Sequence, residues 1–240
     1  VYLLFDYTEG TIPGMKREKP LLVLASHRHG DHYSPVIFDL IKEHGNVRFV
    51  LSNDIWRKRL PEEVRPLTDS LKHGETAKYR LENGIIRQLT GTPENQIEDG
   101  VISDACLTIH TYKSTDEGVA FLIEAEGKTI YHAGDLNNWR WEGEPDNWND
   151  SMAKKYSAQI DKMAGMHLDV AFLPLDPRQE DDFYLGMDEF LHKVDVKHVF
   201  PMHCWDHYEI CQKVQDEPSM QGLLEHFHPI EYKGQEWTLC

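Results

Sequence analysis

Short apolar runs rich in β-branched and aromatic residues recur along the chain at 1–7, 21–26, 48–51, 85–89, 106–112, 118–125, 128–133, 170–173 and 197–201. Bounded by glycine, proline and acidic residues, such runs predict strands. Two of them, around Val119-Ala120-Phe121-Leu122-Ile123 and Thr129-Ile130-Tyr131, are separated by a few polar residues and predict a hairpin with Gly127 in its turn. Helical spacing, with apolar residues every third or fourth position, appears at Val36, Ile37, Leu40 and Ile41 and again at Met152, Tyr156, Ile160 and Met163. Strands and helices therefore interleave, which predicts an α/β chain. The segment 83–104, carrying Gly84, Gly91, Pro93 and Gly100, reads as irregular loop. The stretch 139–150, rich in Trp, Asn and acid, reads as a second excursion. With no internal repeat, low-complexity tract or linker, one domain over residues 1–240 is expected. The chain opens directly on a strand-like run without Met, so a fragment lacking its first strands is expected.

Charge narrows the functions. Lys and Arg number 25 against 41 Asp and Glu, a formal net charge of −16. That excess argues against broad phosphate neutralisation, hence against nucleic acid as a partner. A hydrophobic share of 40% is enough for a sizeable core. No apolar run approaches the roughly 18 residues of a membrane span, and no basic stretch leads into an apolar one at the start. A soluble, cytoplasmic protein without membrane contact is expected. Cys106, Cys204, Cys211 and Cys240 form no CxxC pair and read as reduced thiols.

Candidate chemistry concentrates where the run Leu21-Leu22-Val23-Leu24-Ala25-Ser26 leads into His27-Arg28-His29-Gly30-Asp31-His32. In an extended chain His27, His29 and Asp31 share a side because side chains alternate, while Arg28 points away. His32 joins them only if the chain turns, and Gly30 has the backbone freedom for that. One histidine at a strand end is usually an ordinary surface residue. Three with an aspartate in six positions are better explained as metal ligands. Imidazole with carboxylate suits zinc, iron or manganese rather than calcium or magnesium.

These residues resemble the His-x-His-x-Asp-His motif of the metallo-β-lactamase superfamily. Tyr131-His132-Ala133-Gly134-Asp135 resembles its strand-end Gly-Asp motif, and Phe200-Pro201-Met202-His203 resembles its late strand ending in a metal-binding histidine. Leu3-Leu4-Phe5-Asp6 resembles an early core strand of the family. The details are most similar to the branch that includes ascorbate-6-phosphate lactonase. The resemblance implies an α/β fold of the αββα four-layer sandwich type. It also implies hydrolysis of a small-molecule ester, lactone or phosphoester by a metal-activated water, with one or two divalent transition ions, zinc before manganese or iron. By the same resemblance His27 and His29 bind metal one, Asp31, His32 and His203 bind metal two, and Asp135 bridges. Asp31 is the expected catalytic residue, placed to orient or deprotonate the water.

The family's third histidine on metal one has no counterpart in Lys113-Ser114-Thr115-Asp116-Glu117-Gly118-Val119. His110 lies four strand positions, roughly 13 Å, from Ser114, and a serine hydroxyl is a weak zinc ligand. Site two is therefore expected to fill first. Arg178 is a candidate for gripping an anionic substrate group through its planar fork, against a surface pair with Glu180, Asp181 or Asp182. His207 is a candidate at the pocket mouth. Trp139, Trp141 and Trp148 read as packing of the excursion rather than a lid, and His132 as a buried packing residue. His44, His73, His167, His192, His198, His226 and His228 read as solvated. Two alternatives remain: a phosphodiester nuclease of the same superfamily, and a metal-binding regulatory protein with weak catalysis.

Overall fold

All five residues of Leu21–Ala25 are buried, which requires a strand covered on both faces. The computed structural model describes residues 1–89 and 106–239. It is a mixed α/β chain with its strands in two sheets. The expected loop at 83–104 therefore falls largely outside the described residues, as does Cys240. The chain divides into two compact units, one of residues 1–112 and 117–128, the other of residues 113–116 and 129–240.

In the first unit β1 (Tyr2–Phe5), β2 (Leu21–Ala25), β3 (Val47–Ser52) and β4 (Thr68–Leu71) lie in that order in one sheet, every neighbouring pair parallel. On one face Leu21, Val23, Ala25, Phe49 and Leu51 pack with Ile37 and Leu40. Ile37 lies in a 3-10 turn, Pro35–Asp39, and Leu40 opens the short helix α1 (Leu40–Glu43). The helix expected at 36–41 is thus mostly 3-10. Pro35 sits in its first turn, and Ser34 caps it by accepting from the Val36 amide. Towards the other face, Arg48 makes two 2.6 Å bonds to Asp69, and its guanidinium lies 5.9 Å from the ring centre of Tyr79. Tyr79 belongs to β5 (Thr76–Glu82), which runs with β6 (Ile85–Gln88), β7 (Leu107–Lys113) and β8 (Val119–Ala125) in the order β8-β7-β5-β6. After β8, Glu126 and Gly127 both take positive φ, 52° and 75°, the geometry of the tight turn expected at Gly127. Helix over sheet over sheet makes three of the four layers expected of an αββα sandwich.

The second unit carries β9 (Lys128–His132), β10 (His167–Pro174) and β11 (Asp195–Met202), parallel and ordered β11-β10-β9. The last two outrun their apolar stretches because the parallel register carries on to His167 opposite Asp195. Three helices accompany them: α2 (Asp146–Ile160), α3 (Leu185–Lys193) and α4 (Ile210–Asp216). Helix α2 buries Met152, Tyr156 and Ile160, as their spacing predicts, and Tyr156 donates to the Gly186 carbonyl at 2.7 Å. Its first turn takes residues 146–150 out of the expected excursion: Pro145 caps it in extended conformation and the chain turns helical at once. Tyr131 of β9 stacks on Phe190 of α3 with 4.9 Å between ring centres. Among the described residues no helix is long and apolar enough to cross a membrane.

Candidate metal centre

In the first unit the site is built where β1 and β2 end. Asp6 follows β1 at φ 44° and reaches across to β2. One carboxylate oxygen accepts from the Ser26 amide at 2.7 Å. The other lies 2.6 Å from the Ser26 hydroxyl, which donates to it, and 2.7 Å from His32 Nδ1. A ring nitrogen bonded to a carboxylate is turned so that its other nitrogen faces the site, the usual support of a metal-binding histidine. His32 Nε2 lies 3.4 Å from an Asp31 oxygen. His27 Nε2 and His29 Nδ1 are 3.0 Å apart, while His27 Nδ1 is 3.0 Å from the Ser26 hydroxyl. The His27 and His32 ring centres are separated by 4.2 Å.

What gathers His27, His29, Asp31 and His32 differs from the expectation. Alternation along an extended chain plays no part, because β2 ends at Ala25 and a turn begins. The amides of His32 and Tyr33 both donate to the His29 carbonyl, at 3.0 and 2.8 Å. That turn folds His32 back towards His27 without a positive φ at Gly30, so it does not draw on the freedom expected of that glycine. Glu117 lies between His29 and Arg28: one of its oxygens is 3.6 Å from His29 Nε2, and the other accepts from the Arg28 guanidinium at 2.7 Å. Beside it opens a cleft of about 250 Å³ lined by Arg28, Tyr33, Trp56 and Arg59, among others.

In the second unit the corresponding groups lie at the ends of β9, β10 and β11. Asp135 is buried, its carbonyl accepting from Trp139 Nε1 at 2.9 Å and its carboxylate 3.0 Å from His203 Nε2. His203, at φ 66°, directs Nδ1 to a carboxylate oxygen of Asp176 at 3.0 Å. Asp176 is fully buried and collects further donors: the Arg178 amide at 2.9 Å, the Arg178 guanidinium and Trp205 Nε1 at 3.2 Å. Burial works to raise this carboxyl, but the hydrogen bonds from His203 and Arg178 outweigh it and hold it well below the usual carboxylate range. Asp116 brings a carboxylate oxygen within 4.8 Å of one on Asp135.

The fork of Arg178 closes on Asp176, and its guanidinium lies 4.4 Å from the Trp205 ring centre. Its geometry is that of a residue holding Asp176 in place. His207 is largely exposed and sits 3.0 Å from Glu209. The packing readings agree with the structure at Trp139, which is buried and stacked on Trp141 at 5.7 Å, and at His132, buried beside Phe172. Trp148 is the exposed member of that set. His110 bonds the Thr76 hydroxyl at 2.9 Å, and the buried Ser114 hydroxyl accepts from the Asp116 amide at 3.1 Å.

The sequence reading passed over Asp6, Asp116 and Asp176. Asp6 and Asp176 follow the C-terminal ends of parallel strands, the edge where ligand-binding groups collect in such sheets. The run Leu175-Asp176-Pro177-Arg178 also carries a helix-start signal, an N-cap aspartate before proline.

No protein-family model matches this sequence, and no curated protein matches it either. Solved structures with a similar chain path include Zn(2+)-bound PqqB from Methylobacterium extorquens, 11% identical over 87% of this chain and 68% of its own, at a TM-score of 0.41. CmlA, a diiron β-hydroxylase from Streptomyces venezuelae, is 12% identical over 84% of this chain and 41% of its own, at 0.45. The metallo-β-lactamase fold protein YhfI from Bacillus subtilis is 13% identical over 76% and 63%, also at 0.41. The chain thus spans between 41% and 68% of the length of these three.

Proposed function

We propose that this protein is a metal-dependent hydrolase of the metallo-β-lactamase superfamily that cleaves a small ester, lactone or phosphoester. The observation that carries the reading is the pair of supported histidines. His32 on the partly buried Asp6 and His203 on the buried Asp176 each have one ring nitrogen fixed by a carboxylate, which leaves the other to a metal. In this reading His27 and His29 hold one ion, Asp31, His32 and His203 hold the other, and Asp135 serves both. The donor set of imidazoles and carboxylates fits zinc, with manganese and iron as alternatives. A bound divalent ion supplies hydroxide at neutral pH and polarises the bond under attack. Asp31 orients the attacking water and takes up its proton. The second site fills first, because both of its histidines rest on carboxylates, His32 on Asp6 and His203 on Asp176. The neighbouring cleft, lined by Arg28, Trp56 and Arg59 together with Asp54, is of a size for a small substrate. Within the superfamily, Tyr131-His132-Ala133-Gly134-Asp135 and Pro201-Met202-His203 favour a lactonase-like substrate.

The test is hydrolysis of an aryl ester, a sugar-acid lactone and a bis-aryl phosphate by zinc-loaded protein, with metal content counted per chain. Turnover of at least one substrate is expected, falling at least about a hundredfold on Asp31→Ala. Absence of bound transition metal after reconstitution, or full activity in the stripped protein, would overturn the reading.

A further inference from the structure

His198, His226 and His228 read from the sequence as separate solvated residues, yet the fold brings them together in the second unit, on the middle of β11 and the segment beside it. The segment around Phe227 runs beside β11 as a parallel bridge to Val199. The Val199 amide donates to the His226 carbonyl at 3.1 Å, and the His228 amide donates to the Val199 carbonyl at 2.9 Å. Val199 and Phe227, paired with each other, are both buried. With a period of two, their neighbours His198, His226 and His228 are turned to the opposite face. There His198 Nδ1 and His228 Nε2 stand 3.0 Å apart, with ring centres at 5.1 Å, and the His226 ring centre is 5.9 Å from that of His198.

Their surroundings set them apart from the surface histidines of this chain. His167 lies against Asp195, His192 against Asp188 and His207 against Glu209. None of the three clustered rings has a carboxylate within ion-pair distance among the described residues, although the chain carries 41 acids. Imidazoles packed only against one another repel on protonation. Burial and the two neighbouring rings accordingly hold His228 below its ordinary value. The neutral ring is the form a metal takes. Phe200 stacks on His228 at 4.5 Å, and Trp237 stands edge-on to both rings, giving the cluster an apolar wall. Two imidazoles sharing a tetrahedral ion at zinc–nitrogen distances of about 2.0–2.1 Å bring their ligating nitrogens to roughly 3.3 Å. The His198–His228 spacing is close to that value before any ion arrives.

We propose that His198, His228 and His226 form a separate binding site for a divalent transition ion of the zinc, nickel or copper class. His198 and His228 are the preset pair. His226 is exposed, and a side-chain rotation brings it in as the third ligand, with water in the fourth position. The ion fastens the 226–228 segment to β11, which ends the strand order β11-β10-β9 and would otherwise present an open edge there. Nitrogen-only donors exclude magnesium and calcium.

Equilibrium dialysis of the full chain against zinc and against nickel, with bound metal counted per chain, tests this. Wild type is compared with His226→Ala, which alters an exposed side chain, and His228→Phe, which keeps an aromatic ring against Phe200. Each variant is expected to lose one bound ion per chain, or to bind it at least tenfold more weakly, whereas His32→Ala loses a different ion and keeps this one. Unchanged stoichiometry and affinity in both variants would overturn the site. Loss of the same ion in His32→Ala as in His226→Ala would also overturn it, because the ion would then belong to the proposed centre.

Discussion

Asp6 and Asp176 do the same work on different strands. Each is a carboxylate at a strand end that fixes one nitrogen of a histidine of the proposed centre and takes backbone or side-chain donors with its remaining lone pairs. Asp6→Asn keeps an acceptor for the Ser26 amide but removes the charge that favours a proton on His32 Nδ1. Metal affinity, measured by competition with a chromophoric chelator, is expected to fall about 10–100-fold while the fold persists. An affinity equal to wild type would show that His32 needs no support. Asp176 makes a prediction about pH. Its carboxyl titrates below the ordinary range in the folded chain, so the unfolded state binds the proton first as pH falls. The stability it contributes is complete above the unfolded value, about 3.9, and drains away below it. Urea unfolding of wild type and Asp176→Asn should therefore show a gap that is widest near neutrality and narrows below about pH 4. A gap independent of pH would locate the effect in packing instead.

Between elements, the sharpest constraint is where β8 begins against the end of β2. Gly118 has φ +71°, and a β-carbon there would stand 2.0 Å from the Ser26 carbonyl oxygen and 2.5 Å from His27 Cβ. The Val119 amide donates to that same carbonyl at 3.0 Å. Gly118→Ala must push β8 away from the turn that carries His27, at a cost of about 2–4 kcal/mol. A chemical-denaturation midpoint like that of wild type would contradict this. The same junction marks how far the sequence was readable. The buried run of β2, the stripe of α2 and the turn at Gly127 rest on local pattern, and they stand where expected. Strands β4 and β5 were missed because their polar residues are neutralised by distant partners, Asp69 by Arg48 above all. Helices α3 and α4 are short, and neither showed a run of apolar spacing that stood out along the chain. At the site, the donors of 27–32 were legible as a cluster. The turn that gathers them, and the carboxylates behind His32 and His203, depend on which strands lie side by side, and no spacing along the chain encodes that.

At the scale of the molecule, a charge of −16 draws any divalent cation towards the surface, so cation binding alone does not mark a specific site. Specific ligation and general charge relief separate by ion type. An ion that binds only the folded chain stabilises it by about 2.7 kcal/mol at a hundredfold excess over its dissociation constant. For a chain of this size that is a rise in melting temperature of about 5–10 °C. Zinc is expected to produce such a rise and a chelator to reverse it. Magnesium at the same concentration and ionic strength relieves the same repulsion but lacks affinity for imidazole nitrogen, so its effect should be small and should vanish in about 0.15 M salt, where the screening length shrinks to roughly 8 Å. Equal stabilisation by the two ions, lost together on adding salt, would mean that the histidines bind nothing and that the acids alone respond.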